Sequence, residues 1–154
     1  MIASSLISNS IESLKNNMTI EEARSIFTKN KLHHLPLIDA ENNVIGIISE
    51  NEIFSNVELQ NTIENLITNA FSITIYSHQH IFEIFEKVFE NNLTCIPVID
   101  EKNKYLGLIT TTTLISYFSK ISSLRVAGAI IVLEVNIRDY TLSKIAQIVE
   151  ENNA

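Results

Sequence analysis

Three glycines, two prolines, one cysteine and no tryptophan are unusually few for 154 residues. Each shortage excludes something. A single cysteine rules out an intramolecular disulfide and fits a reducing compartment. The scarcity of glycine leaves no Gly-rich phosphate loop and no dinucleotide fingerprint, and no Ser-His-Asp spacing signal is present. Eleven basic residues against eighteen acidic ones give a net charge of −7. That balance argues against a nucleic-acid binder, which carries a basic face. It does not exclude a small anionic ligand, because backbone N–H groups and one or two cations suffice for a phosphate. The longest apolar run, Val126 to Leu133, is too short to span a bilayer. The N-terminus lacks the basic and apolar regions of a signal peptide. These features predict a cytoplasmic protein that engages neither membrane nor nucleic acid, and no catalytic constellation stands out.

What the chain does have is repetition. His34-Leu35-Pro36-Leu37-Ile38-Asp39 and Val44-Ile45-Gly46-Ile47-Ile48-Ser49 return as Cys95-Ile96-Pro97-Val98-Ile99-Asp100 and Tyr105-Leu106-Gly107-Leu108-Ile109-Thr110, 61 residues later. A long period that keeps Pro, Asp and Gly in register implies a duplicated folding unit. Two such units pack about a pseudo-two-fold axis and leave grooves between them.

The first copy opens with an apolar stretch at Ile11 to Leu14. Thr19-Ile20-Glu21-Glu22 reads as a capping box that starts a helix, with Ile20, Ala23, Ile26 and Phe27 on its apolar face. Strands at His34 to Ile38 and Val44 to Ile48 flank an Asp/Asn-rich turn, and Glu50 to Val57 closes as a short helix. The second copy repeats this order at Ile73 to Tyr76, Ile81 to Phe89, Cys95 to Ile99, Tyr105 to Ile109 and Thr111 to Phe118. Glu58 to Asn65, free of Pro and Gly, predicts a partly helical connection. Continuous apolar strands predict sheets covered on both faces. The expected fold is α/β: two β-α-β-β-α repeats, residues 1–60 and 61–122, and a β-α extension over 123–154.

The Pro-containing first strand, polar hairpin and Gly-h-h-Ser/Thr ending, all duplicated, resemble the CBS domain, and the two copies resemble a CBS pair (a Bateman module). The resemblance covers residues 6 to 120. It implies a regulatory module rather than an enzyme, a homodimer, and clefts for AMP, ADP, ATP or S-adenosylmethionine. Ligand-binding members carry Asp at the third residue after the Ser/Thr, where the hydroxyl and helix N-terminus face phosphate and the carboxylate accepts ribose hydroxyls. Ser49 and Thr110 match the hydroxyl. Glu52 and Thr113 stand in the Asp position, so the first site retains a carboxylate and the second does not, and the first, with His33 or His34 nearby, is expected to bind an adenosine ligand better. The opening-strand hydroxyl of the family matches Ser13 and Thr74. The resemblance groups Thr74 with Ser49 and Glu52, and Ser13 with Thr110. His33 and His34 stand where some members carry phosphate-binding cations; Thr94 and Cys95 bring no charge there. The absence of Asp at both ribose positions also supports an alternative, a structural dimerisation module whose pockets have decayed.

The remaining candidates point to structure. His78-Gln79-His80 lacks the Cys or carboxylate pattern of a metal site and reads as a helix start. Cys95 falls in a buried strand with nothing basic beside it. In the tail, Ala129 to Val135 reads as a strand and Thr141 as the cap of a helix with Leu142, Ile145, Ala146, Ile148 and Val149 on one face. Arg138 to Ala146 resembles the first β-α unit of an ACT domain. An ACT domain continues well past this point, which implies a natural chain longer than Ala154, and a lone strand must pair with something.

Overall fold

The computed structural model describes residues 1–70, 72–121 and 141–151, in two compact units, Met1–Ser122 and Ser123–Ala154. In the first unit, β1 (Leu14–Lys15) leads through α1 (Ile20–Asn30) to β2 (His34–Ile38), and a hairpin joins β2 to β3 (Val44–Ser49), followed by α2 (Glu50–Phe54). The same order returns as β4 (Ile75–Tyr76), α3 (Ile81–Glu90), β5 (Cys95–Ile99), β6 (Tyr105–Thr110) and α4 (Thr111–Ile121). Each repeat is one three-stranded sheet, its first strand parallel to the second and the second antiparallel to the third. The register shifts at Leu37/Ile38 and again at Val98/Ile99, so even the irregularity is duplicated. Of the second unit the described part is α5 (Leu142–Glu151). The expected strand at 129–135 lies outside the described residues. No described helix is long and apolar enough to cross a membrane.

The local signals act as their chemistry requires. Thr19 caps α1: its Oγ1 accepts from Glu22 N at 3.2 Å, and the Glu22 carboxylate accepts from Thr19 N at 2.8 Å. α1 stops at Lys31, whose φ of 53° turns the chain left-handed. His80 takes the corresponding place before α3 and donates its backbone N–H to Glu83 at 2.9 Å, so the His78–His80 segment is a helix start. In both hairpins an Asp gathers the turn. Asp39 Oδ1 accepts from Asn43 N at 2.7 Å, and Asp100 Oδ1 from Lys104 N at 2.8 Å. Asn42 and Asn103 carry the positive φ, 64° and 61°, a conformation that Asn tolerates better than most residues.

One difference from the sequence reading stands out. α2 ends at Phe54, three residues short of Val57; the Arg24 guanidinium caps this end by donating to the Phe54 and Asn56 carbonyls at 3.0 and 2.7 Å. The connection between repeats is partly helical, as expected: residues 58–62 turn tightly, with Asn61 O accepting from the first N–H of α1 at 2.9 Å, and a 3-10 turn follows at Ile63–Asn69.

The apolar strands are covered on both faces because each repeat completes the other. Ile48 packs in the first repeat's core and its neighbour Ile47 in the second's; Ile109 and Leu108 make the reciprocal exchange. Successive strand residues point to opposite faces, so one apolar run serves two cores. The N-terminal turn crosses over as well. Ala3 and Leu6 belong to the second repeat's core, while Ile63 and Leu66 belong to the first's. Ser8 N donates to Leu108 O at 2.8 Å and anchors this crossing on β6.

Candidate functional site

The two Gly-h-h-Ser/Thr endings place a hydroxyl at the start of each closing helix. Ser49 ends β3 and caps α2. Its Oγ accepts from Glu52 N at 3.4 Å, and the Glu52 carboxylate accepts from Ser49 N at 2.8 Å and from Ser49 Oγ at 2.9 Å. The candidate ribose clamp is therefore engaged by its own helix cap. Its carboxylate still acts on one histidine, because His34 lies opposite Ser49 in the β2–β3 register and Glu52 raises the pKa of the His34 imidazole electrostatically.

The histidine pair divides as strand geometry dictates. His33 is exposed, and its Nδ1 sits 2.5 Å from Glu50. His34 turns inward to the seam between repeats. Thr94 N donates to His34 Nδ1 at 3.2 Å, Thr94 Oγ1 accepts from the His33 and His34 backbone N–H groups at 3.1 and 3.0 Å, and Cys95 Sγ donates to His34 O at 3.0 Å. Burial, and then the neighbouring His33, lower the His34 pKa; Glu52 pulls it back up in part. His34 thus favours the neutral form that accepts from Thr94, which makes it a weak cation for phosphate. Cys95, the pseudo-symmetric counterpart of His34, is buried with its thiol pushed up to about 12, so it is neither nucleophile nor thiolate ligand. At the other end of the seam, Tyr105 N donates to Asn42 O and Asn42 Nδ2 to Tyr105 O, both at 2.9 Å. Lys104 Nζ donates to Glu41 O and Asn43 Oδ1, both at 2.8 Å.

The second hydroxyl is arranged differently. Thr110 is buried; its Oγ1 accepts from Thr113 N at 3.1 Å and lies 3.0 Å from Thr113 Oγ1. Thr113 opens onto a groove of about 410 Å³ between the crossing N-terminal segment and α4, lined by Ser5, Ile7, Ser8, Ser116, Tyr117 and Lys120 among others. That volume lies within the range of small-molecule pockets. Ser13 is buried beside the Tyr105 hydroxyl, which is raised by its own burial first and by Cys95 second. Thr74 presents its carbonyl to Lys87 Nζ at 2.8 Å. Among the described residues no hydrogen bond joins Thr74 to Ser49 or Glu52, or Ser13 to Thr110.

Sequence reasoning therefore brings Ser49, Glu52 and His34 together, and Thr110 with Thr113, but misses Ser8, Tyr117 and Lys120. Two signals point to them. Leu6-Ile7-Ser8 is echoed by Leu66-Ile67-Thr68, 60 residues on, one fewer than the main period. Thr113, Ser116, Tyr117 and Lys120 fall three, four and seven apart, on one face of α4. Among the described residues, no group of three or more His, Cys, Asp or Glu side chains could hold a metal ion.

Known proteins carry the same architecture. The CBS domain pair/ACT domain protein from Thermotoga maritima superimposes with a TM-score of 0.69 at 13% identity, covering 79% of this chain and 98% of that one. The CBS domain pair of protein MJ0100, solved with 5′-methylthioadenosine and S-adenosyl-L-methionine, gives 0.63 at 23% identity, covering 79% and 98%. In sequence, the chain is 26% identical over 113 residues to a homoserine O-acetyltransferase of Methanococcus vannielii. The match takes in 71% of this chain and only 23% of that protein, so it spans about a quarter of the relative's length. A CBS domain profile matches residues 3–58 and again 65–120, the two copies that the 61-residue period separates, and the chain belongs to the CBS domain family.

Proposed function

We propose that the chain is a non-catalytic, cytoplasmic regulatory module. It binds an adenosine-containing ligand (AMP, ADP, ATP or S-adenosylmethionine) in the clefts of its CBS pair and passes occupancy on as a homodimer. The carrying observation is the groove at Thr113. Tyr117 and Ile7 offer apolar surface for a purine, Thr113, Ser8 and Ser116 offer hydroxyls for a ribose, and Lys120 offers a cation for phosphate or for a carboxylate. Thr110 supports this site from the buried side by accepting from Thr113 N, and Ser13, the family's opening-strand hydroxyl, is read with the same site. The site of Ser49, Glu52, Thr74, His33 and His34 is the second and weaker one: Glu52 must leave its cap to clamp a ribose, and His33 must leave Glu50 to meet a phosphate. Residues 123–154 we read as the opening β-α unit of an ACT-like domain, in which α5 supplies the first helix.

Thermal unfolding of the chain with each of the four ligands tests the reading. A ligand that binds only the folded state at 100 times its Kd adds about 2.7 kcal/mol. The expected result is a clear rise in Tm with at least one ligand, abolished by Lys120→Ala and retained by Glu52→Ala. The alternative, a structural module with decayed pockets, draws on the missing carboxylate at Thr113. It is the reading that stands if none of the four ligands moves the transition.

A further inference from the structure

We propose that the crevice beyond the carboxyl ends of β1 and β2 binds a small α-amino acid as its zwitterion. The site stands apart from the adenosine reading: it lies at the other end of the first sheet from Ser13, His34 and Ser49. β1, α1 and β2 form a parallel β-α-β unit whose strands pair at Leu14↔Leu37 and Lys15↔Ile38. In open α/β sheets, ligands settle in the crevice outside the carboxyl ends of the strands. Here that crevice is a pocket of about 350 Å³, walled by Lys15, Asn16 and Asn17 after β1 and by Ile38, Asp39 and Ala40 after β2. The volume suits a ligand at the small end of the usual range.

The lining groups determine the class of ligand. Among the described residues, no hydrogen bond or ion pair engages the Lys15 ammonium or the Asn16 and Asn17 side-chain amides, so one cation and two amides are left to take a carboxylate. The helix end adds nothing, because the first N–H groups of α1 already donate: Ile20 to Asn61 O at 2.9 Å, Glu21 to Leu59 O at 3.1 Å and Glu22 to Thr19 Oγ1 at 3.2 Å. Asp39 supplies the acceptor for an ammonium. Its Oδ1 and Oδ2 each accept one bond from Asn43 at 2.7 Å, and each oxygen keeps a further lone pair. Those bonds also hold the carboxyl below its ordinary value. Lys15 and Asp39 line one pocket and make no ion pair with each other, so a ligand that carries both charges satisfies both. A net charge of −7 disfavours a plain anion. Lys15 opposes a metal cation, and among the described residues no group of three His, Cys, Asp or Glu could hold one.

The second repeat is the internal control. Sixty-one residues after Lys15, Asn16, Asn17 and Asn42 stand Tyr76, Ser77, His78 and Asn103. Both free amides are gone, and Tyr76 reaches across: its hydroxyl donates to Asn103 Oδ1 at 3.4 Å while its ring stacks on His78, centroids 5.7 Å apart. The end of β4 is thereby bridged to the hairpin. In the first repeat Lys15 makes no such bridge, and Asn42 turns its amide to Tyr105 O in the other copy at 2.9 Å. One fold, built twice, spans the crevice with an aromatic ring in one copy and leaves it open with polar walls in the other.

Two-dimensional amide NMR titration of the full chain tests the site, with L-serine, L-asparagine and L-methionine as probes. The expected result is saturable movement of the backbone resonances of residues 15–17 and 38–42 with at least one of them. Lactate, which lacks the ammonium, and ethanolamine, which lacks the carboxylate, should each bind about tenfold more weakly or worse, the loss of one charge-assisted hydrogen bond. Lys15→Ala should weaken binding by a similar factor, and Lys15→Tyr, which supplies the bridge of the second repeat, should abolish it. Lys120→Ala, in the groove assigned to adenosine, should leave it unchanged. Dispersed spectra confirm that each variant folds. The proposal is overturned if none of the three amino acids moves those resonances saturably, or if lactate or ethanolamine binds as tightly as they do. It is overturned equally if Lys15→Tyr binds like the wild type or if Lys120→Ala abolishes binding.

Discussion

Gly107→Ala should loosen the crossing of the two repeats. Gly107 sits in β6 with φ +140°, and a Cβ built there would meet Ile7 Cγ2 at 2.4 Å, Asn9 Oδ1 at 2.8 Å and Ser8 O at 3.3 Å. Two costs follow. The left-handed backbone strains any L side chain by about 1–2 kcal/mol. The methyl group also pushes the N-terminal segment off the strand, putting at risk the bond from Ser8 N to Leu108 O at 2.8 Å, worth about 1 kcal/mol net. With the packing of Ile7, the loss is roughly 2–4 kcal/mol, which corresponds to a fall in Tm of about 5–15 °C for a domain of this size. Chemical and thermal denaturation of Gly107→Ala, Ile7→Ala and the double variant resolve the parts. Ile7→Ala removes the clashing methyl but not the backbone strain, so the double variant should be more stable than the sum of the single losses by about 1–2 kcal/mol. A Gly107→Ala protein that melts within 2 °C of wild type, or strict additivity in the cycle, would refute the reasoning.

The fold was largely legible because its signals are local and doubled. Thr19 to Glu22 spells out a capping box, Asp39 and Asp100 sit at the start of two polar turns, and the apolar runs around Pro36 and Pro97 are too short for helices. What the sequence concealed lies between the copies. Ile47 and Ile48 look alike in a row of letters, yet they serve different cores, and only the pairing of the two sheets decides which. The crossing of Ala3 and Leu6 into the second repeat is likewise a long-range fact, hinted at only by the 60-residue echo of Leu6-Ile7-Ser8. The candidate sites divide along the same line. Ser49 with Glu52 and Thr110 with Thr113 are helix caps three residues apart, and local spacing reveals them. That Glu52 is held by its own cap, that His34 faces Thr94, and that Lys120 shares a groove with Ser8 are consequences of rotamer and tertiary contact. A phosphate site inferred from charge alone favours the histidines; the geometry turns one to Glu50 and the other to the seam.

Two perturbations of the shared construction complete the set. Ile47→Ala should cost about 2–5 kcal/mol, the range for emptying a large aliphatic site in a core. Because Ile47 is fully buried in the second repeat's core while belonging to the first repeat's strand, urea unfolding should remain one cooperative transition. Two separated transitions would show that the repeats are independent. The last prediction concerns pH. Burial, and then His33, lower the His34 pKa from its ordinary 6.5. The unfolded chain therefore binds a proton at a pH where the folded chain does not, and stability must fall as pH drops below about 6.5, until the folded imidazole titrates as well. The carboxylates with lowered values, Asp39 and Glu83, titrate from ordinary values of 3.8 and 4.5, so their share of stability is lost at lower pH and does not confuse the window from 7.5 to 5.5. Protonation also removes the acceptor that Nδ1 offers to Thr94 N, which weakens the seam at the same step. His34→Asn, with an oxygen that can accept in place of Nδ1 and no proton to gain, should be less pH-dependent than wild type across that window, measured by urea denaturation at each pH. If the wild-type slope persists in His34→Asn, the sensitivity belongs to another group, and the seam is not where acid acts.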